Sequence, residues 1–494
     1  MRLRSSTPVF LVSDIAATMH WYQANLRFQA DPFPESPPHV FCILSKDGVE
    51  IMLQQLAGYE KPDLYRKRDG GVWDVYLRME GVVELFQAVS KAGEVTILEP
   101  LRRQPYGAIE FVIRDPNGYT LVFAEAVRPL PFNATLEQYE KEAEQLLGIY
   151  RSSDTEARWN IAREHPRLRE LSDPERLNAV FELADARLSV AREYGFENWA
   201  KLAGYAKAVR AENSPVARFE SAVEAVIAGD VATLASILRE DPDLACARSV
   251  RPHRATLLHY LAANGVEGYR QRTPQNAVEI ARVLVKAGAE VDALADMYDG
   301  HYTAMSMLVS SGHPAKAGAQ IALVETLLDF GAAVEARGSA RWGSPLMTAL
   351  AFGYLEVAEA LVRRGARVDN IATAAGLGRA EETRRLLATA DGLSRHRAFA
   401  LAAQHGHVEI VRMLLDAGED PNRYNPDGNH GHSTPLHQAV WSGHDAVVRL
   451  LVERGADVNI KDTVHQGTPL DWGLYHGKRE DIAEYLHTHG ARAS

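Results

Sequence analysis

Ser433–Asn459 reads STPLHQAVWSGHDAVVRLLVERGADVN, and the C-terminal half of the chain repeats it in worn copies. Thr434 is placed to cap a helix, and Pro435 takes the first helical position, where a missing N–H costs nothing. Ala439 is small enough for two helices to touch there. Gly443 can adopt the left-handed conformation that stops the first helix. Val447, Val448, Leu450 and Leu451 form the apolar stripe of a second helix, which Gly455 ends before a hairpin at Asp457-Val458-Asn459. A helix pair of this kind cannot bury its apolar face alone, so it predicts stacked neighbours.

The second-helix ending recurs as LVKAGAEVD (Leu284–Asp292), LLDFGAAVE (Leu327–Glu335), LVRRGARVD (Leu361–Asp369) and LLDAGEDPN (Leu414–Asn422). Its glycines at 331 and 365, 418 and 455, and 455 and 490 are 34, 37 and 35 residues apart. The gap of 43 after Gly288 implies an insertion, and the gap of 53 after Gly365 hides a shortened unit, Ile371–Ser394. The T-P-L-H-x-A opening at 434–439 resembles that of ankyrin repeats, whose period is about 33 residues. About eight such units fit residues 217–494, with atypical first and last units (Phe219–Ala247 and Thr468–Gly490) as caps. In the last, Asp471 stands where the His of the opening would be. The insertions Gly265–Asn276 and Ser311–Gln320 are expected to be surface loops. In YNPDGNHGH (Tyr424–His432), His430 and His432 come close together, with no third metal ligand evident.

The resemblance implies a protein partner on the concave side, formed by first helices and hairpin tips. Positions just before the mid-repeat turn hold Phe352, His405, Trp441, Tyr475 and His476. Large aromatics without a core duty predict an anchor patch there.

Residues 1–127 show a different pattern. A short apolar run, Pro8–Val12, is followed by the cap Ser13-Asp14 and a helix over Ile15–Asn25. Strand-like runs at Val40–Leu44 and Val49–Leu53 come next, and the order recurs: Val72–Leu77, a helix over Val82–Ala92, then a hairpin of Ile109–Ile113 and Tyr119–Phe123. VSDI (Val12–Ile15) and IRDPNGYTLVFAE (Ile113–Glu125) resemble the vicinal oxygen chelate superfamily, which includes glyoxalase I, extradiol dioxygenases and bleomycin-resistance proteins. The resemblance covers residues 5–126 and implies paired βαβββ modules. In that family's enzymes a His on the first strand, a His or Glu on the fifth and a Glu on the eighth hold a metal, with a fourth ligand from the fourth strand. Aligning the motifs puts Thr7, Met52, Asp74 and Val122 at those positions. One carboxylate without imidazole partners does not make a transition-metal site. Glu50 and Glu125 flank these positions and read as solvent-facing carboxylates.

The residues therefore argue against an enzyme, and no cofactor or metal is expected. The resemblance then points to the bleomycin-resistance branch, which sequesters a ligand in a cleft between dimer-related halves. Trp73, Asp74, Tyr106, Met52 and Phe41 are the expected cleft residues for a small apolar or aromatic ligand, and a homodimer through this domain is expected. The alternative is a metal-dependent lyase or dioxygenase regulated by the ankyrin array. A third reading makes the domain a dimerisation unit without ligand.

Residues 128–216 read as a helical connector that caps the array, with four helices predicted over Leu136–Tyr150, Asp154–Glu164, Pro174–Tyr194 and Glu197–Arg210. Its AREYGFENWAKL (Ala191–Leu202) resembles a motif found before ankyrin arrays in bacterial proteins. The fold class expected is thus multidomain: α+β paired modules (1–127), then an all-α connector (128–216) and an ankyrin solenoid (217–494).

Composition sets outer bounds. The 494 residues are 46% hydrophobic and 24% charged, with a net charge of −11 and no basic segment, so nucleic-acid binding is not expected. Cys42 and Cys246 are too few for a disulfide framework. The N-terminal apolar run is too short for a signal peptide, and no stretch is apolar enough for a membrane span, so the cytoplasm is the expected location. No P-loop, G-x-S-x-G or H-E-x-x-H motif occurs.

Overall fold

The computed structural model describes residues 6–67, 71–104, 107–126, 129–152, 158, 161–162, 165–212, 214–335, 343–475 and 479–493. The chain divides into two compact units, Met1–Lys207 and Ala208–Ser494.

Two βαβββ modules open the first unit. One consists of β1 (Val9–Val12), α1 (Ile15–Leu26), β2 (Gln29–Phe33), β3 (Phe41–Lys46) and β4 (Val49–Gln55). The other consists of β5 (Val75–Arg78), α2 (Val82–Ala92), β6 (Thr96–Gln104), β7 (Ala108–Arg114) and β8 (Thr120–Ala126). Both sheets have the same order, β1-β4-β3-β2 and β5-β8-β7-β6, with the first strand parallel to the last. α1 starts at Asp14, whose carboxylate accepts from Ala17 N–H at 2.9 Å. α2 starts at Gly81 with no side-chain cap of its own. Glu125 Oε2 of β8 supplies one, accepting from Gly81 and Val82 N–H at 3.0 Å each. Strand alternation sends Phe10, Val12, Leu44 and Ile51 of the first module, and Leu77, Phe111 and Phe123 of the second, into one shared core.

The sequence pattern misses β2 and β6. Both are edge strands, where a proline is tolerated and one face need not be apolar. β2 is QADPF, and β6 contains Pro100 within the second of its two register shifts. The helix predicted over Pro174–Tyr194 is two helices, Asp173–Asn178 and Leu183–Glu193. Ser172 and Glu182 each head a capping box, so the chain restarts at Glu182 after an extended Ala179. Upstream of this break, α3 (Leu136–Ser152) packs on α2 and β6. Most of Asp154–Glu164 lies outside the described residues.

The second unit holds eight helix pairs among the described residues, from Pro215–Ala228 with Val231–Glu240 to Pro469–Tyr475 with Glu480–Thr488. First helices stack on one another: Ile371–Gly376 on Gly392–Gln404, that on Pro435–Ser442, and that on Pro469–Tyr475. His437 ties the stack. Its Nδ1 faces Thr434 Oγ1 at 2.8 Å within its own repeat, and its Nε2 meets Gly467 O of the next at 3.2 Å. His259 repeats this with Thr256 Oγ1 (2.9 Å) and Tyr302 O (3.1 Å). Asp471 keeps the local half, its Oδ2 accepting from Thr468 N and Oγ1 at 2.7 Å each.

The insertion 265–276 is not the surface loop expected of it. It carries Glu267 and Arg270, both buried, into a network with Glu220 and Arg251. Arg251 donates to Glu220 Oε1 (2.6 Å) and pairs with Glu267 Oε1 (3.0 Å). Arg270 donates to Glu220 Oε2 (2.7 Å) and Glu267 Oε2 (3.2 Å). Two carboxylates and two guanidiniums balance in charge, which is what permits their burial. The insertion 311–320 is also built in, as a short helix, Gly312–Lys316, and a buried Gln320 that donates to Leu308 O at 2.9 Å.

Removing one member strands two opposite charges. Glu267→Ala should cost about 3–5 kcal/mol, read as a lowered denaturant midpoint. Breaking the exposed Arg449–Asp445 pair by Arg449→Ala should leave the midpoint nearly unchanged.

Candidate functional site

The resemblance places one candidate on the sheet faces turned away from the core. Register carries Val9, Met52, Ile43 and Asp31 across the first sheet on that face. On the second sheet Tyr76, Val122, Val112 and Glu99 line up in one row. Asp74 hydrogen-bonds beside Thr120, in the adjacent row. Met52 and Val122 therefore lie on these faces, with Asp74 bonded to Thr120 just ahead of β5 and Thr7 just ahead of β1, but the four do not offer a metal a donor set. Val122 is fully buried and apolar. The Asp74 carboxylate is engaged by Lys61 Nζ at 3.0 Å and by Thr120 N–H at 2.8 Å. Thr7 and Met52 bring one hydroxyl and one thioether, a poor pair for a divalent ion. Glu50 lies two residues from Met52 on β4, so it shares the open face and is exposed, as its solvent-facing reading requires. Glu125 is a correction: it caps α2 and is not solvent-facing.

The segment between β4 and β5 lies along the second sheet. Its alternate residues reach three different strands or strand ends: Lys61 to Asp74, Asp63 to Arg114 at 3.1 Å, and Tyr65 Oη to Glu99. Tyr76 Oη donates to Glu110 at 3.0 Å on the same face, and burial pushes its hydroxyl up to about 12. Of the expected cleft residues, Trp73 is 41% exposed and stands 5.8 Å from the Tyr76 ring, and Phe41 is half-buried. Tyr106 lies outside the described residues.

The second candidate is on the array. Phe352, His405, Trp441 and Tyr475, chosen from sequence as anchors, line one cavity of about 1240 Å³. His476 lies outside the described residues. Phe352 is 37% exposed, Trp441 45% and Tyr475 85%. The structure adds Trp472, whose ring is 5.5 Å from Trp441 and 5.8 Å from His432, together with Gln404, His430 and His444. Trp472 follows Asp471 in TPLDW, on the first turn of its helix, whereas the sequence reading searched only the last turn.

The described lining of this groove passes from Leu355 to Gln404 without a residue of the worn repeat. Ile371–Gly376 is only six residues long, and residues from the next repeats bond past it to the end of Pro345–Ala351. His405 Nε2 meets Leu350 O at 2.8 Å, while Gln404 Nε2 and His430 Nε2 meet Ala351 O at 3.0 and 2.9 Å. Burial pushes His405 down to about 4 and lowers His430 and His444. His430 and His432 do come together, with ring centroids 6.1 Å apart. No group of three or more His, Cys, Asp or Glu side chains is placed to hold a metal among the described residues.

Comparison with known proteins follows this division. Residues 6–123 match the family model described as Glyoxalase/Bleomycin resistance protein/Dioxygenase superfamily. Residues 371–462 match Ankyrin repeats in three copies. The chain joins a glyoxalase-type domain to ankyrin repeats. Ankyrin repeat and SAM domain-containing protein 6 of Mus musculus is 41% identical over 90 residues, which are 18% of this chain and 10% of that protein. Ankyrin repeat and KH domain-containing protein mask-1 of Caenorhabditis elegans is 30% identical over 223 residues, 43% of this chain and 8% of its own. The chain thus spans a tenth or less of these two relatives. The solved structure of TioX from Micromonospora sp. ML1 aligns at 18% identity with a TM-score of 0.21, covering 24% of this chain and 97% of that one. No helix among the described residues is long and apolar enough to cross a membrane.

The buried histidines make stability depend on pH in a stated direction. Burial holds His259, His405 and His437 at about 4, against 6.5 for an ordinary imidazole. Below 6.5 the unfolded chain binds protons that the folded array refuses. Their contribution is complete above 6.5 and is lost as pH falls toward 4. The Tm should fall across that window, and His437→Gln should make the fall shallower.

Proposed function

We propose that the protein is a non-catalytic, two-part binding protein. The ankyrin repeats mediate protein–protein interaction, and the groove lined by Trp441 is where the partner docks. The observation that carries this is that Phe352, His405, Trp441 and Tyr475, from four repeats, line one cavity. Exposed aromatics on a stacked scaffold supply large contact area at little entropic cost. The N-terminal domain would hold a small apolar or aromatic ligand on its open faces, dimerise the chain, or both. Val9 and Phe33, 48% and 67% exposed on the open face of the first sheet, support either use. Engagement of Asp74 by Lys61 supports the non-catalytic reading, since the one carboxylate at the family's ligand positions already has a cation. In this reading the domains run over residues 1–127, 128–216 and 217–494.

Affinity capture with the full chain and with Trp441→Ala checks the docking face; the variant should lose its specific partners while keeping its Tm. Unchanged capture would remove the groove from consideration. Elemental analysis with a metal-titrated thermal shift tests the domain: no stoichiometric divalent ion and no rise in Tm are expected. A single tightly held ion lost in Asp74→Asn would instead favour a lyase or dioxygenase.

A further inference from the structure

The two sheets of the N-terminal domain share a topology but not an exposure. In the row Val9, Met52, Ile43 of the first sheet, Val9 is 48% exposed and the other two are half-buried. In the matching row of the second sheet, Val122 and Val112 are 0% and 1% exposed. Both point away from the shared core, which takes their strand neighbours Leu121, Phe123, Phe111 and Ile113 instead. The connector is not what covers them. Its α3 packs on the core side, with Ile149 joining Phe111 and Phe123 in that core.

The strap Lys61–Tyr65 lies against this row and crosses the strands in their order in the sheet. Lys61 Nζ meets Asp74, just ahead of β5 and bonded to Thr120 of β8. Asp63 meets Arg114 of β7, and Tyr65 Oη donates to Glu99 of β6. Arg114 is two residues from Val112 along β7, and Glu99 is the register partner of Val112, so these ties are made on the face of the buried row. The strap is held there by polar groups. Its own apolar residue, Leu64, is 45% exposed. Partly exposed ion pairs stabilise little each, and a segment with few buried apolar contacts opens without the rest of its domain.

We propose that the strap Lys61–Tyr65 is a built-in occupant of the second sheet's face, an autoinhibitory contact that opens as a unit. Closed, the domain offers one sheet face for binding; open, it offers two. This deepens the reading of these faces as binding surfaces, and its test uses no ligand, so the two can fail separately. The full chain carrying Cys246→Ser keeps one natural thiol, Cys42, which is buried in the core. Val122→Cys adds a second thiol beneath the strap, and Val9→Cys, in a separate chain, adds one on the uncovered first sheet. Reaction with N-ethylmaleimide is followed at each site by peptide mass. With the strap intact, the thiol at position 122 should react at least about ten-fold more slowly than that at position 9. Lys61→Ala together with Asp63→Ala should speed it at least about ten-fold, the order expected when two partly exposed ion pairs are removed. The rates at position 9 and at Cys42 should not change. Equal reaction at positions 122 and 9 with the strap intact would overturn the proposal, since the face would then be uncovered. So would a rate at position 122 that ignores the strap variant, or one that rises only in step with Cys42, which reports opening of the whole domain.

Discussion

Carbonyls at the ends of short helices have no partner within the helix and must find donors elsewhere. In this array other repeats supply many of them, as amides at Asn276, Asn422 and Asn459 and as an imidazole at His405. His259 and His437 reach carbonyls in the loop ahead of the next first helix. His259, His405, His430 and His437 each hand one N–H to a carbonyl in another unit. The constraint fixes more than spacing. It sets which nitrogen faces away from the bond, while burial keeps the rings neutral. Past the worn repeat, Gln404 and His430 both donate to Ala351 O. The groove chemistry is thus a by-product of how the stack satisfies its own backbone.

The N-terminal domain shows a related economy. The paired modules leave one face of each sheet away from the core, and the chain lays its own connecting segment along the second. Lys61, Asp63 and Tyr65 each reach a residue of the second sheet, the last from the start of a short 3-10 turn. The first sheet keeps its exposed apolar residues, so the two halves, alike in topology, differ in what they offer a ligand.

What the sequence revealed follows which residues have one job and which have two. Thr434, Pro435, Ala439 and Gly443 serve only the repeat, and their spacing is enough to recognise it. β2 escaped because QADPF carries no alternation on an edge that needs none, and β6 because its bulges break the period. Glu125 looked like a spare carboxylate; its partners are the N–H groups of a helix over forty residues earlier in the chain, a relation no local pattern contains. At the groove, Trp441 was visible as an aromatic without a core role. Trp472 and Gln404 were not, since their significance comes from which other residues line the cavity with them.

The charge network around the 265–276 insertion has a historical side. Glu220 and Arg251 belong to the array proper, while Glu267 and Arg270 come with the added segment. Deleting the segment would leave a glutamate and an arginine buried with half their partners gone, and mutating either of these first would strand the other two. No single step out of the arrangement is neutral. The extra turn is therefore entrenched: once the four charges were in place, descendants of this chain could vary its surface freely but would have to inherit the quartet whole.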